Sequence, residues 1–255
     1  MGRRLDVYSE LDSSNRVAAD LAQSGAPDGS LVVADSQSAG RGRLGRSFFS
    51  PSGSGLYLSL VQRPGSRDAW PAAHAPRHVF AASLAVARTA RSLLPGRVRV
   101  EIKWPNDVLL DGRKTSGINS VADLSAGSIH WIVLGIGVNV NLDRETLPRE
   151  LREIATSFRL AAGQPFDRLT VAHRLLAELE AQLERLRSEA FHAVLEGWRD
   201  FFTMTGERVR VGGPGVDREL DGRVIGIDRD GALLLETGAG RARVVAGDVT
   251  LLERG

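Results

Sequence analysis

The sequence contains no cysteine, few aromatic residues and no long apolar run. Without cysteine, the 255-residue chain forms neither disulfide bonds nor thiolate-ligated metal sites, which is typical of a reducing compartment. The N-terminal residues lack the apolar core of a signal peptide, and no segment is apolar over the length needed to span a membrane. We therefore expect a cytoplasmic protein that does not enter a membrane.

Excess charge of one sign is also missing. The 33 Lys and Arg residues stand against 31 Asp and Glu residues, a formal net charge of +2, and aromatic residues make up 5% of the chain. An RNA-binding module of the arginine–glycine type needs surplus positive charge and aromatic side chains that stack on bases. The composition disfavours such a module and predicts that any anion-binding site is local.

Hydrophobic periodicity predicts alternating helices and strands over the first 200 residues. Strands are expected at 30–36, 55–63, 97–104 and 130–141, with a hairpin at 107–121 that turns at Asp111-Gly112. Helices are expected at 13–24, 78–94 and 167–189, with a short one ending near 202 and a long loop at 142–166. From about residue 205, four or five short strands predict a small β-barrel of SH3-like size.

The helix expected at 167–189 is amphipathic. Its apolar residues recur every three or four positions, and we expect this face to be buried: Leu169, Ala172, Leu176, Leu179, Leu183 and Leu186.

The segment GRGRLGR at residues 40–46 concentrates three arginines on a flexible backbone. Arginine presents a planar fork of donors that suits phosphate or carboxylate, and glycine lets the backbone approach a ligand. The segment is not a Walker A loop, because no Gly-Lys-Ser/Thr follows, and the spacing of a dinucleotide fingerprint is absent. Taken alone, it fits an anion-binding loop and a solvated basic loop equally well.

Three further polar positions follow predicted strand ends or turns. In KWPND (103–107), Pro105 favours an extended bend that can point Asn106 and Asp107 out of the strand end, where a carboxylate can orient an amine or a cation. Lys114 can place a compact charge against a carboxylate or phosphate. Asn139 lies at the end of a buried strand. Turn chemistry, an exposed strand lysine and a satisfied strand end are the alternatives for these positions.

In their order along the chain, these motifs resemble a biotin–protein ligase. The resemblance extends over nearly the whole chain and rests on these segments: DSSN (12–15), QSAGRGRLGRSFFSPSGSGLYLSL (37–60), KWPNDVLLDGRK (103–114) and LGIGVNVN (134–141). It implies an α+β fold with a central mixed β-sheet and flanking helices, similar to class II aminoacyl-tRNA synthetases. A catalytic biotin- and ATP-binding domain would occupy residues 1–203, and an SH3-like β-barrel would occupy residues 204–255.

The implied activity has two steps. Biotin and ATP, with Mg²⁺, would form biotinyl-5′-AMP and pyrophosphate, and a lysine of a biotin carboxyl carrier protein domain of a carboxylase would then attack the adenylate. Bringing a carboxylate to an α-phosphate requires cationic donors that offset their repulsion. The expected partners are biotin, ATP and the carrier domain. We expect a monofunctional ligase that binds no DNA, either as a monomer or as a homodimer.

The resemblance also implies roles for individual residues. Biotin would contact Ser13, Ser14, Asn15, Gln37, Gly40, Arg41, Gly42, Arg43 and Lys114. The nucleotide would contact Arg43, Arg46, Phe48, Asn106 and Asn139, with Mg²⁺ expected near Asn139. The catalytic residues would be Lys114, Arg43 and Asp107, with Asp107 positioning the incoming lysine. The loop at 142–157 would close over adenine.

The chain departs from the family pattern at three places. Phe48 stands where the family usually has Trp, Ser14 replaces Thr, and the segment TSGINS (115–120) is more polar than its usual counterpart. Two related readings therefore stay open: a lipoate or octanoate ligase or transferase of the same superfamily, and a non-catalytic protein that binds biotin.

Overall fold

The computed structural model describes residues 4–65, 70–188, 191–213, 216 and 218–252. The first sheet contains β1 Leu5–Leu11, β2 Leu31–Gln37, β3 Gly55–Gln62, β4 Val100–Lys103, β5 Asp107–Leu110, β6 Arg113–Ser125 and β7 Ser128–Asn139. The helices are α1 Ser14–Gln23, α2 Ala75–Leu93, α3 Phe158–Ala162, α4 Arg168–Ser188 and α5 Phe191–Arg199. The second sheet contains β8 Arg208–Gly212, β9 Leu220–Ile227, β10 Leu233–Thr237, β11 Gly240–Val244 and β12 Asp248–Leu251.

The first sheet has the strand order β1-β2-β3-β7-β6-β5-β4. The β1–β2 pair is parallel, as a crossover through α1 requires, and the other neighbours are antiparallel. The sheet is therefore mixed, as predicted. The second sheet is antiparallel, with the order β11-β10-β9-β8-β12.

Helix α2 packs against the first sheet on one side and against α4 and α5 on the other. Its buried positions include the fully buried Ala81, Ala82, Ala85 and Ala87. Small side chains let the helix backbone lie close to the sheet, so the central layer is dense and rigid. The helix begins at Ala75, three residues before the predicted start, with Pro76 in its first turn. Among the described residues, no helix is long and apolar enough to cross a membrane.

The predicted buried face of α4 is wrong at Leu169, whose surface is 73% exposed. The buried row is Val171, Leu175, Leu179 and Leu183, which repeats every four residues. Leu179 and Leu183 are buried as predicted, and Ala172, Leu176 and Leu186 are partly buried against the same core. The prediction therefore fails only at Leu169, in the first turn of the helix. The last residue of the predicted helix, Glu189, lies outside the described residues.

Strand β1 was not predicted. It is an edge strand whose apolar side chains are largely exposed, Leu5 at 57% and Val7 at 67%, so the pattern that marks a half-buried strand is missing.

The second sheet is docked onto the first domain through Trp104 of KWPND. Trp104, only 2% exposed, donates from Nε1 to the backbone oxygen of Gly231 at 2.9 Å. Gly231 has φ +87° and packs so closely on Phe80 that an added Cβ would lie 2.9 Å from its ring. The predicted domain boundary at 203/204 falls in the connection between α5 and β8 and stays a prediction.

Candidate active site

The polar motifs converge on a cavity of about 730 Å³, open mouth included, on the first sheet. Twelve of the fourteen predicted site residues line it: Ser13, Ser14, Asn15, Gln37, Arg41, Gly42, Arg43, Arg46, Phe48, Asn106, Asp107 and Lys114. Gly40 is the first residue of the segment 40–46, the arginine loop, and an added Cβ there would lie 2.5 Å from the backbone oxygen of Phe48. Asn139 lines an adjacent cavity.

One end of the cavity is neutral and polar. The α1 N-terminus enters here, and Ser13, Ser14 and Asn15 are all less than 10% exposed. Gln37 Oε1 accepts from the backbone N–H of Ser14 at 2.8 Å, and Ser59 donates to Asn15 Oδ1 at 2.6 Å. These bonds fix the side chains before a ligand arrives, which suits recognition of a neutral head group with both donors and acceptors.

Glycines on two neighbouring strands form the floor. Gly117 on β6 is paired with Gly137 on β7. A Cβ at Gly137 would lie 2.6 Å from the Phe48 ring, and a Cβ at Gly135 would lie 2.0 Å from Asn15 Oδ1. The sequence pattern LGIGV is thus explained by close approach, because side chains that line the cavity occupy the space that a Cβ would need.

The opposite end of the cavity is cationic. Among its described lining residues, four cations (Arg41, Arg43, Arg46 and Lys114) face two carboxylates (Asp107 and Asp248). Lys114 Nζ lies 2.7 Å from Asp107 Oδ1, and Arg43 donates to Asn106 Oδ1 at 3.1 Å. This end suits an anionic ligand with several oxygen acceptors.

Burial strengthens the cationic end. Desolvation lowers the pKa of Arg43, and the charge of Asp107 opposes that shift. Lys103, the first residue of KWPND, has its pKa lowered by burial in the same way, again opposed by Asp107. Both groups are partly removed from water, so their attraction for an anion is screened less than at an exposed site.

The polar segment TSGINS has a structural role. Asn119 donates from Nδ2 to the backbone oxygen of Gly42 at 3.3 Å, and Thr115 donates to the backbone oxygen of Asn139 at 3.2 Å. The segment therefore ties the arginine loop and the end of β7 to β6.

Phe48 occupies the site as an apolar ring, as its motif implied. Its ring meets Tyr57 edge to face, with centroids 6.4 Å apart. Burial raises the pKa of Tyr57, and its hydroxyl donates to the backbone oxygen of Pro51 at 3.1 Å.

A second cavity of about 1280 Å³, open mouth included, adjoins the first and shares five lining residues with it: Arg46, Ser47, Phe48, Asp107 and Lys114. Asn139 is buried here. Its Nδ2 donates to the backbone oxygen of Thr156 at 3.0 Å, while Oδ1 has no hydrogen-bond partner within the described part of the chain. The loop at 142–157 forms one wall and contributes apolar side chains from Leu142, Leu147 and Leu151.

The loop at 142–157 is anchored beside Lys114. The backbone N–H of Lys114 donates to Ile154 O at 2.9 Å, and the N–H of Thr156 donates to Lys114 O at 2.8 Å. An apolar wall next to a cationic cluster is the combination that a nucleotide base and its phosphates require.

Some residues of the site were missed by the sequence reasoning. Ser59 and Lys103 could have been recognised as candidates from the sequence, because each is a polar residue in or beside a predicted buried strand. Asp248 carries none, because it lies about two hundred positions from the loop that it meets.

The chain matches two protein-family models. Residues 8–139 match the biotin/lipoate A/B protein ligase family, and residues 205–252 match the biotin protein ligase C-terminal domain. The chain belongs to the biotin protein ligases.

This ligase is similar to curated and solved relatives over almost its full length. It is 35% identical to biotin–acetyl-CoA-carboxylase ligase of Mycobacterium tuberculosis, over 98% of this chain and 90% of that protein. It is 34% identical to the bifunctional ligase/repressor BirA of Bacillus subtilis, over 98% of this chain and 75% of that protein. The structure of the Aquifex aeolicus biotin protein ligase in complex with biotin and ATP aligns with a TM-score of 0.79 at 26% identity, covering 99% of this chain and 100% of that one. The expected fold class, with its SH3-like C-terminal barrel, is confirmed.

Proposed function

We propose that this ligase activates biotin with ATP as biotinyl-5′-AMP and transfers the biotinyl group to a lysine of a biotin carboxyl carrier protein domain. The observation that carries the proposal is one cavity with a preorganised neutral end and a partly desolvated cationic end. Biotin has a neutral ureido head and an anionic tail, so these two ends match it in order. The names of the relatives support the same activity.

In the neutral end, Ser13, Ser14, Asn15 and Gln37 would hold the ureido ring. Gln37 is already bonded to the backbone N–H of Ser14, and Asn15 to Ser59, so little conformational entropy of these side chains would be lost on binding. The glycine floor would let the bicyclic ring lie flat against the sheet.

In the first chemical step, a carboxylate oxygen of biotin attacks the α-phosphorus of ATP, and pyrophosphate leaves with the electrons of the broken P–O bond. Lys114, Arg41 and Arg43 would offset the repulsion between the carboxylate and the phosphate. Arg46 and Asn106 would contact the phosphates, and Phe48 and the loop at 142–157 would cover the base.

In the second step, the ε-amine of the carrier lysine attacks the acyl carbon, and AMP leaves with the electrons of the acyl–oxygen bond. Of the two carboxylates that line the cavity, Asp107 is the one paired with Lys114, and it would orient the amine and accept its proton. Lys114, 2.7 Å away, would hold Asp107 in that orientation.

Magnesium would enter with ATP. The described residues contain no group of three or more His, Cys, Asp or Glu that could hold a metal ion on its own. The oxygen that fits is the unpartnered Oδ1 of Asn139, and Mg²⁺ commonly takes one or two protein oxygens and completes its shell with phosphate and water. Bound there, it would neutralise phosphate charge.

Location and assembly belong to this proposal as well. The absence of cysteine supports a reducing compartment, and we place the ligase in the cytoplasm. The near-neutral charge supports a ligase that does not bind DNA. The described lining of the cavity comes from one chain, so the proposal is compatible with a monomer and with a homodimer.

The test is to incubate the protein with biotin, Mg²⁺ and ATP labelled at the α-phosphate, and to separate the products. Labelled biotinyl-AMP and biotin-dependent pyrophosphate release are expected. Lipoate replaces biotin in a parallel reaction, and an adenylate formed with lipoate alone would overturn the proposal in favour of the lipoate reading. Biotin binding without any adenylate would instead support a non-catalytic binder.

A further inference from the structure

Two groups from the C-terminal domain reach the arginine loop. Asp248 forms an ion pair with Arg46, and the backbone oxygen of Gly247 lies 3.5 Å from Arg43 Nη1. Asp248 also lines the first cavity, beside residues that come from the other domain. The site is thus completed by a corner of the barrel, Gly247–Asp248.

The barrel side of this contact is the more firmly held. Asp248 begins β12 and pairs with Gly212 on β8, and the next residue, Val249, is 1% exposed. The side chain of Arg46 is 65% exposed, whereas that of Asp248 is 29% exposed. The carboxylate is therefore the fixed member of the pair, and the guanidinium is the member whose position it sets.

The barrel itself is positioned against the site by Trp104. Its bond to Gly231 links the C-terminal domain to the same KWPND segment that supplies Asn106 and Asp107. The Gly247–Asp248 corner is therefore held in a fixed position relative to Asn106 and Asp107. Its contact with Arg46 can then fix the position of the arginine loop.

The arginine loop needs a counter-charge. Arg43 has its pKa lowered first by burial and, in addition, by the charge of Arg46. The same charge acts on Lys103, again after burial. Cations that repel one another would drive a glycine-rich loop out toward solvent, and the Asp248 carboxylate opposes that movement.

We infer that Asp248 is a positioning residue that acts through Arg46 to hold the arginine loop closed over biotinyl-AMP. A guanidinium has five N–H donors, so the Arg46 nitrogen bound to Asp248 leaves other donors for phosphate oxygens. The contact would hold Arg46 in place without consuming its capacity to bind the ligand. The inference rests on the proposed function, because it concerns retention of that reaction's intermediate.

The test compares Asp248→Asn with Asp221→Asn in the full chain. Asp221 is a matched control, because it lies in the same domain and forms an exposed pair with Arg210 at 2.7 Å, away from the loop. The release rate of labelled biotinyl-AMP is measured by chasing with unlabelled biotin and ATP. An exposed ion pair contributes up to about 1 kcal/mol, so Asp248→Asn should release the adenylate about two- to fivefold faster, and Asp221→Asn at the wild-type rate.

Three further measurements separate positioning from a general structural effect. Asp248→Glu should restore slow release, and the unfolding temperatures of the two Asn variants should agree. In an Arg46→Gln background, Asp248→Asn should have no further effect, because its partner is gone. Limited trypsin digestion should cut the loop at 41–46 faster in Asp248→Asn, which reports loop opening without any turnover.

The outcomes are distinguishable. Wild-type release by Asp248→Asn together with unchanged loop cleavage overturns the inference, as does an effect of the same size in the Arg46→Gln background. Failure of the wild-type protein to form any adenylate would instead contradict the proposed function.

Discussion

Lys114 and Asp107 form an ion pair because a β-bulge brings their side chains to one side of the sheet. Along the β5–β6 pair, Val108 is opposite Ser116 while Leu109 is opposite Lys114, so Thr115 is the extra residue. Without the bulge, Lys114 and Gly117 would point to opposite faces, yet a Cβ at Gly117 would lie 3.1 Å from Lys114 Nζ. The bulge therefore redirects Lys114 into the cavity, a common use of bulges next to active sites.

Replacing Lys114 by Ala should impair adenylate formation. The change removes a donor that would be directed at both biotin carboxylate and α-phosphate, and removal of one such donor typically lowers the rate by about 10²–10³. Biotin-dependent pyrophosphate release measures it. Lys114→Arg keeps the charge and should retain more activity than Ala. Equal rates for Ala and wild type would contradict the role.

Asp107→Asn should mainly impair the second step. The amide cannot accept the proton of the attacking lysine, and loss of a general base typically costs about 10²–10⁴ in rate. Purified biotinyl-AMP is supplied to the enzyme together with the carrier domain, and biotinylated carrier is quantified. If adenylate formation falls as far as transfer, Asp107 acts in both steps, and a role confined to the transfer step is wrong.

Arg43→Gly should release biotinyl-AMP early and allow lysines of unrelated proteins to be biotinylated. Arg43 is partly buried and lies against Asn106 at 3.1 Å, where it would contact the adenylate. Arg229→Gly, at an exposed arginine in a barrel turn, serves as the control. Biotin incorporated into serum albumin, relative to the carrier domain, is the measurement. Unchanged selectivity would refute the role of Arg43.

Gly135→Ala should weaken biotin binding without unfolding the protein. The new Cβ would lie 2.0 Å from Asn15 Oδ1 and would displace that side chain from the neutral end of the cavity. Overpacking of this kind costs about 1–3 kcal/mol, and a loss of that size in binding free energy raises the biotin Kd by about 5- to 150-fold. Gly96→Ala, where an added Cβ meets nothing within 4 Å, should bind like wild type in the same calorimetric titration.

The parts of the site that could be predicted are short motifs whose functional side chains are neighbours in the sequence. GRGRLGR, KWPND and LGIGVNVN are short segments at strand ends, so their side chains remain together in any fold that forms those strands. The glycines of β7 belong to this group. Gly135 and Gly137 are two positions apart and therefore lie on one face of the strand, where a Cβ would collide with Asn15 and Phe48.

The parts that could not be predicted depend on long-range packing. Asp248 meets Arg46 only because the barrel docks through Gly231 and Trp104, and no local pattern encodes that docking. The polarity of Thr115 and Asn119 was read as a departure from the family pattern, whereas the bulge and the tie to Gly42 account for it. Leu169 fits the apolar spacing of α4 but lies in its first turn, where the surrounding structure leaves the side chain exposed.

His78 should make the stability of the protein depend on pH between about 4 and 6.5. It is 5% exposed and packs on Trp70 with ring centroids 4.8 Å apart, and burial lowers its pKa to about 4, helped by the charges of Arg187 and His74. In the unfolded chain the group titrates near 6.5, so in this window the unfolded state binds more protons than the folded state, and the free energy of unfolding falls as the pH falls. The loss amounts to about 3 kcal/mol by pH 4, where His78 is half protonated in the folded state, and it levels off below that pH as both states become protonated. His78→Gln should remove this slope, whereas His173→Gln, at an exposed position on α4, should keep it. Urea unfolding at pH 7.0, 6.0, 5.0 and about 4.5 measures the difference between variant and wild type, and parallel curves for His78→Gln and wild type would show that His78 is not the group responsible.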